Sequence, residues 1–263
     1  MPGHGARLAQ TRRAWLTVLA TSGLLALSRP ALADLRALMQ SVRESVLPVG
    51  TFNALNSPRF TFRGSGFVVG DGTLLLTNAH VLPDPGAVPT PQMAVWVARA
   101  EGRREARMAT VLRLDRIHDL ALLRLEGTPL PALTMAAAGS VQEGQEVALV
   151  GYPIGGVLGF APVIHRGIVS SLTTIALPAA TSQQLAERTA ARLREGPFAV
   201  YQLDATAYPG NSGGPLLDAH TGHVVGVVNM VLVRSTRESA LTNPSGITYA
   251  IPSQFAIELL KTP

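Results

Sequence analysis

Tyr208-Pro209-Gly210-Asn211-Ser212-Gly213-Gly214-Pro215 is the stretch on which the reading of this chain turns. Glycines crowd one serine, with a proline on each side, which excludes a helix interior and marks a tight, irregular turn. Such a turn can expose a hydroxyl and aim several backbone N–H groups into one small space. That arrangement stabilises the charge that develops when a serine attacks a carbonyl. A glycine-rich hairpin whose serine bonds its own backbone fits the same residues. The rest of the chain has to decide between them.

Leu76-Thr77-Asn78-Ala79-His80-Val81 sets a histidine at the end of a strand-like run, and His118-Asp119-Leu120-Ala121-Leu122-Leu123 sets an aspartate just before another. A serine hydroxyl is a poor nucleophile until a base takes its proton, and the base needs an acceptor to fix its tautomer. His80, Asp119 and Ser212 supply those groups. Plainer readings stand beside this one: a strand-end histidine, and an aspartate that only caps a turn. Asp115, in Leu112-Arg113-Leu114-Asp115-Arg116, is a rival acid.

With these residues in place, the sequence resembles the trypsin-like serine proteases, and within them the HtrA (Deg-type) branch. The stretches that carry the resemblance are Gly64-Ser65-Gly66-Phe67-Val68-Val69, Thr77-Asn78-Ala79-His80-Val81, Asp119-Leu120-Ala121-Leu122-Leu123, Gly167-Ile168-Val169-Ser170, Gly210-Asn211-Ser212-Gly213-Gly214-Pro215 and Tyr249-Ala250-Ile251-Pro252. The order His, Asp, Ser is that of the double-barrel serine proteases. The resemblance implies an all-β, trypsin-like double β-barrel with His80, Asp119 and Ser212 as catalytic residues. Asp119 is preferred to Asp115 because the run that follows it matches the family's strand. The resemblance also implies oxyanion donors at the N–H groups of Gly210 and Ser212. It puts Thr206 at the base of the primary pocket, with Val227, Val228 and Asn229 along one wall. A neutral threonine offers no counter-charge to Lys or Arg, so small or medium aliphatic side chains are expected there. Tyr208 stands where family members often carry Asn. Polypeptide substrates are the implied partners, a homotrimer is known among relatives, and no cofactor is implied. Many relatives carry a PDZ domain after the protease, and the expectation here is of a protease without one.

The chain has 263 residues, 47% of them apolar and none of them cysteine, which is ample for a core without disulfides. Residues 1–33 carry Arg7, Arg12 and Arg13, an apolar run from Ala14 to Leu27, and an Ala31-Leu32-Ala33 end, the pattern of a removable signal peptide. The apolar run is too short to span a bilayer. Thr11-Arg12-Arg13-Ala14-Trp15-Leu16 also fits a twin-arginine export signal. The mature chain would be 34–263, periplasmic or secreted. Four of the 22 basic residues and no acidic residue lie in this leader, so 18 basic face 17 acidic beyond it. That balance argues against a nucleic-acid footprint. Arg99 to Arg107 reads as a solvated hairpin. His220 and His223 have a metal-like spacing without further ligands, so no metal is assigned. His165 is read as a surface or supporting residue.

Leu35, Leu38, Met39, Val42 and Val46 follow helical spacing and predict a short N-terminal helix. Strand-like runs cover 60–70, 73–78, 92–99, 104–114 and 120–125, with an Asp71-Gly72 turn between the first two. Further runs cover 145–151, 163–174, 199–204, 215–218, 223–233 and 247–251. Strands without alternating helices point to barrels rather than a parallel sheet, the first at about 46–125 and the second at about 132–252, joined by a connector at 126–131. Leu82 to Pro91, with four prolines, reads as a surface excursion. Residues 180–194 are good helix formers and predict a helical insertion near the site. Ser253 reads as the N-cap of a closing helix with Phe255, Ile257, Leu259 and Leu260 available for packing.

Taken together these features lead to an exported serine endopeptidase acting on unfolded or misfolded protein. The alternative is a latent or non-cleaving, chaperone-like peptide binder on the same fold. A processing protease of the glutamyl-endopeptidase kind fits less well, since its motif commonly ends in Ser-Pro and this chain has Gly214-Pro215.

Overall fold

The runs Leu120-Ala121-Leu122-Leu123 and Val147-Ala148-Leu149-Val150 fail to alternate with polar residues because both faces of their strands are buried. A computed structural model describes residues 34–84, 86, 91–99, 103–154, 159–175, 198–229 and 247–261. The expected leader, the expected insertion at 180–194 and parts of the 82–91 excursion lie outside the described residues. In the first barrel, strands β1 (Val46–Phe52), β2 (Phe60–Val69), β3 (Leu74–Asn78), β4 (Gln92–Ala98), β5 (Arg104–Asp115) and β6 (Leu120–Leu125) close in the order β1-β2-β3-β6-β5-β4. Strands β7 (Glu146–Gly151), β8 (Val163–Ile175), β9 (Phe198–Asp204), β10 (Pro215–Asp218), β11 (Val224–Asn229) and β12 (Ile247–Pro252) close a second barrel in the order β10-β11-β12-β9-β8-β7. This is the trypsin-like double β-barrel.

Side-chain period sorts the apolar residues into three cores. On β6, Ala121, Leu123 and Leu125 fill the first barrel, whereas Leu120 and Leu122 face a seam between the barrels. On β7, Val147 and Leu149 fill the second barrel, and Ala148 and Val150 join the seam. Phe67 and Val69 of β2 and Val224 and Val227 of β11 belong to the same seam. At about 25 cal/mol per Å² of apolar area removed from water, this shared core is what holds one barrel against the other.

Helix α1 (Leu35–Val42) is capped by Asp34, whose carboxylate accepts from the N–H groups of Arg36 and Ala37, and it buries Leu38 and Val42. Val46, placed on the helix by spacing, instead opens β1. No strand-like run is marked over 46–52 in the sequence, where Pro48 and Gly50 are poor strand formers. Pairing with β4 begins only at Val49, so Pro48 needs no donor on that side, and Gly50 sits at a register shift against β2. Its absent Cβ would fall 2.1 Å from the Thr61 carbonyl oxygen. Helix α2 (Ser253–Lys261) buries Ser253, Ala256 and Leu259, and Arg113 of β5 donates to the carbonyls of Leu259 and Leu260. Met135, after the connector, bridges to Val224 of β11. Of the run predicted at 223–233, residues 224–229 are strand, His223 lies just before it, and 230–233 lie outside the described residues. No helix among the described residues is long and apolar enough to cross a membrane.

Candidate active site

The register of β3 against β6 pairs Thr77 with Ala121 and Asn78 with Leu120, which leaves Ala79 and His80 beside Asp119. The Ala79 N–H and the Asn78 side-chain amide both donate to the Asp119 carbonyl at 3.0 Å. The His80 N–H donates to Asp119 Oδ1 at 2.9 Å, and His80 Nδ1 lies 2.6 Å from Asp119 Oδ2. That same oxygen accepts from Asn229 Nδ2 at 2.8 Å. Asp119 takes φ +55°, a left-handed conformation that a short polar side chain tolerates. An ionised carboxylate only accepts, so Nδ1 carries the ring proton and Nε2 is left as a base. The imidazole is 30% exposed and the carboxylate 13%, so the base faces solvent while its acid is shielded.

Asp115 serves a different histidine. Its Oδ1 accepts from the N–H groups of Ile117 and His118, both at 3.0 Å, and its Oδ2 lies 2.6 Å from His118 Nδ1. Burial raises the Asp115 carboxyl, but the hydrogen bonds from His118 and Ile117 together outweigh it and hold the group below its ordinary value. The His118 ring stacks on Phe255 of α2 at 3.9 Å and meets Phe198 of β9 edge-on at 4.8 Å. The turn carrying Asp119 is thereby pinned to the second barrel and the closing helix.

Ser212 arrives from that second barrel. Its loop is closed by Asn211 N–H to Tyr208 C=O at 3.0 Å and Gly214 N–H to Asn211 C=O at 2.9 Å. Gly213 N–H to Val228 C=O and Val228 N–H to Gly214 C=O, both 2.9 Å, sew it to β11. Across the seam, the Ser65 N–H of β2 donates to the Ser212 carbonyl at 2.8 Å. Gly213 takes φ +83°, and a Cβ there would fall 2.2 Å from the Ser65 carbonyl oxygen. Only glycine lets the two backbones meet this closely.

The Pro209 carbonyl accepts from the Ile154 N–H at 2.7 Å. A trans peptide sends its C=O and N–H in opposite directions, so the Gly210 N–H points away from Ile154. Ile154 itself takes φ +59°, a left-handed conformation for a β-branched residue that costs about 1–2 kcal/mol. Ile154→Gly should therefore raise stability by about 0.5–1 kcal/mol, strain relief minus the added freedom of the unfolded chain. Denaturant unfolding of the two proteins checks this, and a lower midpoint for the variant would contradict it.

Thr206 follows β9 and is half-buried, and Tyr208 lies with its ring 5.9 Å from that of His165. His165 is half-buried, and burial lowers its pKa. Val227, Val228 and Asn229, expected along one pocket wall, are all buried. Strand β11 lies between β10 and β12, with Val227 in the seam and Val228 inside the second barrel. Asn229 is turned onto Asp119. Sequence spacing missed that link, as the two residues are 110 apart along the chain. His220 Nε2 lies 3.6 Å from Glu146 Oε2, and among the described residues no group of three or more His, Asp or Glu side chains is placed to hold a metal ion.

Residues 64–227 match the model of the trypsin-like peptidase domain. The chain is 30% identical over 196 residues to a DegP-like periplasmic serine endoprotease of Pseudomonas fluorescens, covering 74% of this chain and 34% of that protein. It is 31% identical over 192 residues to the mitochondrial serine protease HTRA2 of Drosophila willistoni, covering 73% and 36%. The chain thus spans about a third of the length of the curated relatives it matches. Among solved structures, an HtrA-type protease with a tripeptide has a TM-score of 0.59 at 23% identity, covering 87% of this chain and 62% of that one, and shares the fold.

Proposed function

We propose, from the premise that this chain belongs to the trypsin-like peptidase family, that it is a serine endopeptidase with His80, Asp119 and Ser212 as its triad. The observation that carries the reading is the pairing of His80 Nδ1 with Asp119 Oδ2 at 2.6 Å, beside a loop whose Ser212 carbonyl is tied to β2. His80 Nε2 takes the Ser212 hydroxyl proton as Oγ attacks the substrate carbonyl carbon. The carbonyl π pair moves to oxygen, and the N–H groups of Gly210 and Ser212 stabilise it there. Collapse breaks the C–N bond, and His80 hands its proton to the leaving amine. Water then repeats the sequence on the acyl ester and frees Ser212. Asp119 stays ionised throughout and stabilises the imidazolium.

Thr206 forms the pocket base in this reading. Residues 1–33 are a removable export leader, and the substrates are unfolded polypeptides outside the cytoplasm. The DegP-like relative, named as periplasmic, supports that location. Incubating the full chain with unfolded casein and with a fluorogenic peptide library tests the proposal. Casein fragments and a preference for small or medium aliphatic residues are expected. A strong preference for Arg would refute the pocket assignment, and an absence of cleavage would refute the hydrolase itself.

A further inference from the structure

Ser65 is fully buried in β2, yet every polar group it owns is engaged. Its N–H donates to the Ser212 carbonyl at 2.8 Å, and its own carbonyl accepts from Thr77 Oγ1 at 2.7 Å, next to the segment bearing His80. Its hydroxyl accepts from the Tyr152 N–H at 2.9 Å and donates to the Gly210 carbonyl at 2.6 Å. One side chain thus joins the first barrel, the end of β7 and the nucleophile loop.

The bond to Gly210 matters because of where that carbonyl could otherwise point. A serine loop offers two N–H groups to a developing oxyanion only if neither neighbouring peptide turns its carbonyl into the same space. The Gly210–Asn211 peptide is held at both ends, its oxygen by Ser65 Oγ and its N–H by the Tyr208 carbonyl at 3.0 Å. The preceding peptide is held by the Ile154 N–H on the Pro209 carbonyl at 2.7 Å. Gly210, at φ +105°, lies between these two tethers and has no steric barrier of its own against rotation. Of the side chains in this arrangement, Ser65 is the one that grips the loop.

We infer that Ser65 is a positioning residue for the oxyanion donors. Its hydroxyl acts through the Gly210 carbonyl and never touches substrate. The inference rests on the proposed hydrolase. Losing the grip leaves substrate binding and the His80–Asp119 pair in place but lets the Gly210 peptide rotate, so the loss falls on the step in which negative charge develops. Deleting an oxyanion donor outright costs about 10²–10³ in kcat, and loosening one should cost less, about 10–100-fold.

The experiment compares the full-length chain with Ser65→Ala and Ser65→Cys. It uses a fluorogenic peptide that the unaltered chain cleaves, the rate of fluorophosphonate labelling, and the thermal midpoint of each protein. Ser65→Ala is expected to lower kcat about 10–100-fold with KM within about two-fold, and to slow labelling by a similar factor. Ser65→Cys, which keeps a weak donor, should fall between the two. A kcat within two-fold of the unaltered chain, or a loss carried wholly by KM, overturns the inference and leaves the hydrolase standing. If Ser65→Ala does not fold, Ser65→Cys decides on the same criteria. If neither folds, Ser65 is a packing residue and the inference fails. An unaltered chain that neither cleaves nor labels defeats the hydrolase reading first and this one with it.

Discussion

Ser212→Ala is expected to lower peptide hydrolysis by on the order of 10⁶, leaving only what binding and the backbone donors supply. The fold should not change with it. Ser212 is held through its backbone, by the Ser65 N–H on its carbonyl and by neighbours whose bonds also run through peptide groups. Alanine keeps all of these. Circular dichroism and thermal midpoint should match the unaltered chain while casein remains uncut. Such a pairing of intact fold and lost rate separates a nucleophile from a serine that merely packs a hairpin. Appreciable turnover by the folded variant would remove Ser212 from the mechanism.

Asp119→Asn is expected to cost about 10⁴ in kcat, again with the fold retained. Asn tolerates the left-handed φ of +55° at this position, and its carbonyl can still accept from the His80 N–H. The amide group then occupies the place of Oδ2, where His80 Nδ1 at 2.6 Å and Asn229 Nδ2 at 2.8 Å both need an acceptor. Presented with a donor, His80 turns to the tautomer with its proton on Nε2 and cannot act as a base toward Ser212. Asn229 Nδ2 also loses its hydrogen bond to a charged oxygen, a bond that contributes about 1.5–3 kcal/mol. The expected signature is therefore a large fall in kcat with a modest fall in stability. A kcat within ten-fold of the unaltered chain would show that the acid does not set the tautomer.

These expectations draw on residues that the sequence marked to different degrees. His80, Asp119 and Ser212 stand in short motifs whose neighbours fix their local geometry, so the linear chain names them. The choice between Asp119 and Asp115 is less visible, because Asp115 precedes and Asp119 ends the same short turn. Folding separates them, as His80 receives one carboxylate and His118 the other. Apolar runs announced most of the strands, but a run buried on both faces cannot say which side faces a barrel and which the seam. Val227 and Val228, neighbours in one such run, fall in the seam and inside the second barrel respectively. No strand-like run marks β1, because Pro48 and Gly50 are poor strand formers and Gly50 sits at a register shift. Ser65 was legible only as part of a glycine-flanked motif. Its reach to Gly210, 145 residues onward, exists only once the barrels have met.

Mapping a fluorophosphonate adduct by mass spectrometry tests the central claim most directly, because the probe reacts with a serine only where a base and oxyanion donors converge on it. The account predicts one adduct in the native chain, on the peptide that contains Ser212, and its loss after denaturation or in His80→Ala. A native, folded chain that takes no adduct, or carries it on another serine, would contradict the account.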